Sequence, residues 1–261
     1  VTRGRRGGAT GPRAILVACA IVASACDAGP HPASVPTHAP GERTVYVAIG
    51  ASDALGIGTA DPIRQAWPQV FFDEALPLGS TFVNLAVAGS TVASALQEQL
   101  PYVGSLGATV VTVFLGVNDL RADVSPATYG EQLRTLLSGL RAAGSPLVLV
   151  ANVPPLDRLP AYLACLPDPP PSAPPCSIAD GLPTPPELRR DVAAYDGAVA
   201  DAAAATGATG VDLHAAGLRA RSDGTDASLV SPDGFHPSAA GNALIASVFA
   251  AAYRRVTSAH A

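Results

Sequence analysis

Four short polar clusters interrupt a chain otherwise rich in aliphatic residues: Gly50-Ala51-Ser52-Asp53, Ala88-Gly89-Ser90, Gly116-Val117-Asn118-Asp119 and Ser231-Pro232-Asp233-Gly234-Phe235-His236. Together they offer a hydroxyl, an imidazole, carboxylates, a side-chain amide and glycines beside backbone N–H groups. That set suits acyl transfer. A serine hydroxyl is a weak nucleophile and needs a base within hydrogen-bond reach, and His236 can be that base for Ser52. Asp233 stands three residues before His236, close enough to turn back, orient the ring and stabilise its charged form. A tetrahedral intermediate also needs donors for its oxygen. The N–H groups of Ser52 and Gly89 and the amide of Asn118 are the candidates, with Gly89 leaving room for the substrate. His214, near Asp212, is the rival base, although a loop or capping role fits it better.

Each cluster follows an apolar run or precedes a helical pattern. The runs Thr44–Ile49, Thr81–Val87, Ala108–Leu115, Pro146–Asn152 and Ala208–Leu213 read as strands covered on both faces. Helical spacing separates them. It links Val92, Leu96, Leu100 and Val103, then Tyr129, Leu133, Leu136 and Leu140 behind the cap pair Ser125-Pro126. Thr184 and Glu187 have capping-box spacing ahead of Leu188, Val192, Tyr195 and Val199. A last helix is expected over Ser238–Val256, with Leu244, Ile245, Val248, Phe249 and Tyr253 inward. Strands alternating with helices predict parallel βαβ units, and in open sheets of this kind ligands bind beyond the carboxyl ends of the strands. Trp67, Phe71 and Phe72 read as core. Residues 154–186 hold 12 of the 25 prolines and read as a long irregular excursion bordering the same end of the sheet.

The four clusters, in this order, resemble those of the SGNH hydrolases, also called the GDSL lipases and esterases. Ser52, Gly89, Asn118 and His236 match the four characteristic blocks, Asp233 fits the D-x-x-H pair of the last one, and the resemblance covers roughly residues 44–256. One position departs: the family's Gly-Asp-Ser-Leu reads Gly50-Ala51-Ser52-Asp53, so local support of the serine loop is in question more than the reaction. The resemblance implies a flavodoxin-like three-layer α/β/α sandwich whose five parallel strands run 2-1-3-4-5. It implies hydrolysis of carboxylic esters through an acyl-serine intermediate, with no metal or organic cofactor. An envelope acyltransferase using the same triad would look identical in sequence. A non-catalytic lipid- or glycan-binding protein would tolerate loss of Ser52 or His236, and both are present. The expected partner is a small-molecule ester, lipid or acylated glycan, taken by a monomer.

Composition narrows the rest. The 261 residues are 48% hydrophobic and 14% charged, which excludes a disordered chain or a coiled coil. All 16 basic residues are Arg, and the net charge of −5 argues against nucleic acid as a partner. Arg3, Arg5, Arg6 and Arg13 precede the twelve-residue run Ala14–Ala25, which is shorter than the roughly 20 residues a bilayer-spanning helix needs. Residues 1–26 therefore read as an export signal. Cys26 makes its end resemble a lipoprotein site, and an ordinary Ala-x-Ala signal with an incidental cysteine is the other reading. Residues 27–42 read as a Pro/Ala-rich tether to the membrane anchor, and residues 43–261 as the hydrolase domain. Of the remaining cysteines, Cys165 and Cys176 are expected to pair in an exported chain. Mass spectrometry of the native protein should find a mature chain beginning at an acylated Cys26, and an unmodified amino terminus elsewhere would remove the anchor.

Overall fold

The computed structural model describes residues 43–144, 146–171, 173, 175–176 and 182–259. The expected signal segment 1–26 with Cys26, and the tether 27–42, lie outside them. In chain order the elements are β1 (Val45–Ile49), α1 (Pro62–Gln65), α2 (Trp67–Ala75), β2 (Thr81–Asn84), α3 (Val92–Glu98), α4 (Leu100–Leu106), β3 (Val110–Val113) and α5 (Val117–Arg121). There follow α6 (Pro126–Ala142), β4 (Leu147–Ala151), α7 (Pro160–Leu163), α8 (Pro185–Thr206), β5 (Thr209–Val211), α9 (Leu213–Ser222), a 3-10 turn (Asp226–Leu229) and α10 (Ala239–Ser258).

The five strands form one sheet in the order β2-β1-β3-β4-β5, with every neighbouring pair parallel. Alternation along each strand feeds two cores. Val47, Ile49, Val111, Val113, Val148 and Val150 face α3, α4, α6 and α8. Tyr46, Ala48, Val110, Leu147, Leu149 and Val211 face α2, α9 and α10. Helices on both faces give the three-layer α/β/α sandwich. They also explain why β1, β3 and β4 read as continuous apolar runs, since both faces of these central strands are covered, whereas the edge strands β2 and β5 are partly exposed. Trp67 stacks on Phe249 with ring centroids 4.6 Å apart, fixing α2 against α10.

Local signals set the helix starts. Ser125 Oγ accepts the Thr128 N–H at 3.1 Å, and the Thr184 N–H donates to Glu187 Oε2 at 2.8 Å. The stretch expected as one helix from Val92 to Val103 is two, α3 and α4, because Pro101 has no N–H for the preceding turn. Strand β2 stops at Asn84, short of Val87, although the Leu85 and Val87 N–H groups still donate to the Ala48 and Gly50 carbonyls. The Pro-rich excursion is not wholly irregular. It contains α7, with Pro160 in the first helical position, where a missing N–H does no harm. Cys165 and Cys176 are joined as a disulfide across it, their Cα atoms 4.7 Å apart. In α10 the buried seam is Asn242, Ala246, Phe249 and Ala250. Leu244 and Ile245 are only half-buried, because they line a cavity beside the helix.

The first turn of α10 packs so closely on the 3-10 turn that a Cβ on Gly241 would lie 2.2 Å from the Leu229 carbonyl oxygen. Gly241→Ala must therefore push two backbones apart. It is expected to lower unfolding free energy by about 1–3 kcal/mol, measured as a shifted urea midpoint at unchanged m-value.

Candidate active site

The polar clusters meet at the carboxyl ends of β1, β2 and β3. Ser52 lies on the turn after β1, where its carbonyl accepts the N–H groups of Leu55 and Ile57. Its Oγ is 3.0 Å from His236 Nε2, and His236 Nδ1 is 2.6 Å from Asp233 Oδ2. An ionised carboxylate only accepts, so Nδ1 carries the proton and donates it to Asp233. Nε2 is then the acceptor for the Ser52 hydroxyl. Hydrogen bonds thus join hydroxyl, imidazole and carboxylate in one line.

The 231–237 loop is built around Asp233. Oδ1 accepts the Ser231 hydroxyl at 2.7 Å, the Phe235 N–H at 2.8 Å and the His236 N–H at 2.9 Å. Burial opposes the charge of Asp233, but the hydrogen bonds from Ser231, Phe235 and His236 outweigh it and hold the carboxyl well below the usual range. Phe235 stands edge-on to the His236 ring, and the Arg121 guanidinium lies 5.4 Å from the Phe235 centroid. The Ala161 N–H donates to the Gly234 carbonyl at 3.0 Å, so the Pro-rich excursion braces this loop.

Gly89 and Asn118 approach from the other side. Gly89 sits in the turn closed by the Ser90 N–H on the Val87 carbonyl, with φ +81. A Cβ there would meet no protein atom within 4 Å, so the glycine answers to the left-handed backbone and not to crowding by neighbours. Among the described residues, neither the Ser52 N–H nor the Gly89 N–H donates to a partner. Asn118, in the first turn of α5, donates one amide hydrogen to the Ser90 carbonyl at 3.0 Å. That bond orients the amide and leaves its second hydrogen free. His214 is held elsewhere. It is the second residue of α9 and not the end of a strand, with Nδ1 3.0 Å from both Asp196 Oδ2 and the Val153 carbonyl.

Residues that sequence reasoning passed over hold these pieces together. Gln99, fully buried between α3 and α4, accepts the Gly50 N–H and donates to the Gly50 carbonyl and to Ser90 Oγ. Asp119, also fully buried, accepts the Val92 N–H at 3.0 Å, and burial raises its carboxyl. Ser231 caps the carboxylate of Asp233. A polar Gln within an apolar helical pattern was the only signal for Gln99. Ala51, where the family has Asp, packs into the core with Val47 and Ile49. The neighbouring carboxylate, Asp53, accepts the Trp67 indole N–H at 3.0 Å. Burial pushes Asp53 up to about 6, against the Trp67 bond, local backbone N–H groups and the charge of His236.

Ser52, Asn118 and His236 open into a cavity of about 690 Å³. Among the described residues no group of three His, Cys, Asp or Glu side chains could hold a metal ion.

A family model, GDSL-like Lipase/Acylhydrolase, matches residues 47–244. Comparison with curated proteins gave no match. Solved structures share the fold. Phospholipase A1 from Streptomyces albidoflavus has a TM-score of 0.59 and 19% identity, over 81% of this chain and 100% of that one. The psychrotrophic esterase EstA from Pseudoalteromonas sp. has a TM-score of 0.59 and 15% identity, over 82% and 99%. A variant of Axe2, an acetyl-xylooligosaccharide esterase from Geobacillus, has 0.58 and 20%, over 80% and 94%.

Asp53 gives a stability prediction with a definite sign. Its carboxyl titrates near 6 in the fold and at its ordinary 3.8 when unfolded. The folded state thus binds the extra proton between these values, and stability falls as pH rises through them. Asp53→Asn removes the titration while keeping an acceptor for Trp67. The variant should melt above the parent at pH 8, and the difference should vanish below about pH 4, in thermal scans at both pH values.

Proposed function

The chain belongs to the GDSL-like lipase/acylhydrolase family, and on that premise we propose that it is a serine esterase hydrolysing carboxylic esters through an acyl-serine intermediate outside the cytoplasm. The observation that carries this reading is the hydrogen-bond line from Asp233 through His236 to Ser52. Ser52 Oγ forms a bond to the ester carbonyl carbon while its proton passes to His236 Nε2. The charge that develops on the carbonyl oxygen is met by the free N–H groups of Ser52 and Gly89 and the second amide hydrogen of Asn118. Collapse breaks the bond to the alcohol oxygen, which takes the proton from the imidazolium. Water then gives a proton to Nε2 as it attacks the acyl carbon, and the second collapse returns that proton to Ser52 and frees the acid. Asp233 holds the productive tautomer and stabilises the imidazolium without itself taking a proton.

The Cys165–Cys176 disulfide supports an oxidising location. A lipid anchor at Cys26 belongs to the same proposal. It would hold a monomeric domain near its ester, lipid or acylated-glycan substrate.

Steady-state kinetics on one activated ester test the assignment. Ser52→Ala and His236→Ala should each lower kcat by several orders of magnitude, and the double variant should lose little more, because the two act as one unit. Asn118→Ala should lower kcat about 100- to 1,000-fold with KM and folding little changed. His214→Ala should be mild. Near-normal turnover in His236→Ala would overturn the reading.

A further inference from the structure

The cavity is much larger than the reaction needs. Ser52, Asn118 and His236 occupy one part of the wall around its 690 Å³. The remainder is built mainly from hydrocarbon: Leu156, Leu159 and Leu163 of the Pro-rich excursion, Ala216 of α9, Leu229 at the end of the 3-10 turn and Ile245 of α10. The leucines and Ile245 are half-buried. Leu156, Leu159, Leu163 and Ile245 each pack on the core and also line the hole. A volume of this order suits a ligand far larger than a two-carbon acyl group.

Several contacts brace its walls. Pro154, Pro155 and Pro160 stiffen the excursion. Asp157, buried at its root, bonds Arg189 at 2.9 Å and Arg221 at 2.8 Å, tying it to α8 and α9. A Cβ on Gly217 would stand 2.6 Å from Pro155 Cδ, so α9 and the excursion are already in contact there. The Ala161 N–H bond to Gly234 and the disulfide complete the frame. Because both oxygens of Asp157 are engaged by arginines, it has little to offer the hydroxyls of a sugar. A rigid, mostly apolar hole beside a nucleophile favours a flexible hydrocarbon chain.

We propose that this cavity binds the acyl chain, and that the substrates are esters of medium- to long-chain fatty acids rather than acetyl esters. The inference rests on the esterase reading and deepens it. The acyl part is the half that remains attached to Ser52, so it is the half that an enclosed hole can retain. The alcohol must leave past His236, which protonates it.

The experiment uses the full chain with p-nitrophenyl esters from acetate to dodecanoate, below their aggregation limits. A second series keeps the acetyl group and lengthens the alcohol. For the parent protein kcat/KM should rise roughly twofold or more per added acyl methylene and level off once the cavity is full, with no comparable rise in the alcohol series. Ala216→Phe, which adds a ring inside the cavity, should lower the decanoate-to-acetate ratio of kcat/KM about tenfold or more. Leu159→Ala, which removes contact without adding bulk, should flatten the increment per methylene, so the test survives if the larger substitution misfolds. A preference for acetate, a rise confined to the alcohol series, or an unchanged ratio in both folded variants would overturn the inference while leaving the esterase intact. Failure to cleave any ester, with no labelling of Ser52 by a fluorophosphonate, would instead overturn the reading beneath it.

Discussion

The carboxylate of Asp233 accepts four hydrogen bonds from within four residues of sequence: the Ser231 hydroxyl, the N–H groups of Phe235 and His236, and the His236 ring. Three of these close the loop on itself, and the fourth fixes the imidazole. The Ser231 N–H then bonds the His236 carbonyl, and the Gly234 N–H the Ser231 carbonyl. The ring therefore reaches Ser52 from a frame that is set before any substrate arrives. That frame is anchored at both sides. Ser238 caps α10 two residues later by accepting the Gly241 N–H, and the excursion pins Gly234. Preorganisation of this kind lets charge develop in the reaction without rearranging the groups that meet it.

The opposite half of the site obeys a different constraint. Beyond the last paired residues the ladder thins to bonds such as the Val87 N–H on the Gly50 carbonyl at 3.3 Å, and the turns after β1, β2 and β3 must still keep register with one another. Side chains add to it. Gln99 bridges Gly50 and Ser90, Asn118 reaches the Ser90 carbonyl, and Asp119 reaches the Val92 N–H. The amide of Gln99 is fully buried but satisfied at both ends, which makes it rigid at little expense. Gly116 permits the sharp entry to α5: its φ is +123, and a Cβ would press on Tyr129 and Val153 at 3.0 Å. A donor such as Asn118 is thus aimed by its neighbours' packing as much as by its own turn.

Much of this was legible in sequence where a single local rule governs. The central strand runs were continuous because both of their faces are covered. Ser125-Pro126 and Thr184/Glu187 announced their helices by cap chemistry alone, and the four polar clusters came in family order. What escaped was decided by contacts distant in the chain. Nothing local says that the amide of Gln99 must fold back 49 residues to Gly50, or that Asp53 finds the Trp67 indole. The run Ala208–Leu213 looked like a strand throughout because it is mostly apolar, but β5 ends at Val211. In the fold Asp212 accepts the Ala215 N–H at 2.9 Å and starts a helix there instead. Leu244 and Ile245 follow helical periodicity correctly, but periodicity cannot distinguish a core from the wall of a cavity.

Three carboxylates near the nucleophile show how environment divides the work among chemically similar groups. Asp233 has donors on both oxygens, and its charge is secure. Asp119 is enclosed with one donor on Oδ1, and no hydrogen bond reaches Oδ2 among the described residues; burial disfavours its charge. Asp53 lies between these cases, with one strong donor in Trp67 and a carboxyl near 6. Only Asp233 can therefore be relied on to hold a proton on Nδ1 across the working range. Asp53 responds to the reaction instead. In the mechanism proposed above, a positive charge on His236 favours ionised Asp53, so this carboxylate would add to the stabilisation that Asp233 supplies. The Asp that the family places before the serine is Ala51 here, buried against Val47 and Ile49 where a charge would be costly. The acid at the serine turn thus stands one residue after Ser52 instead of one before it, where the Trp67 indole N–H satisfies it.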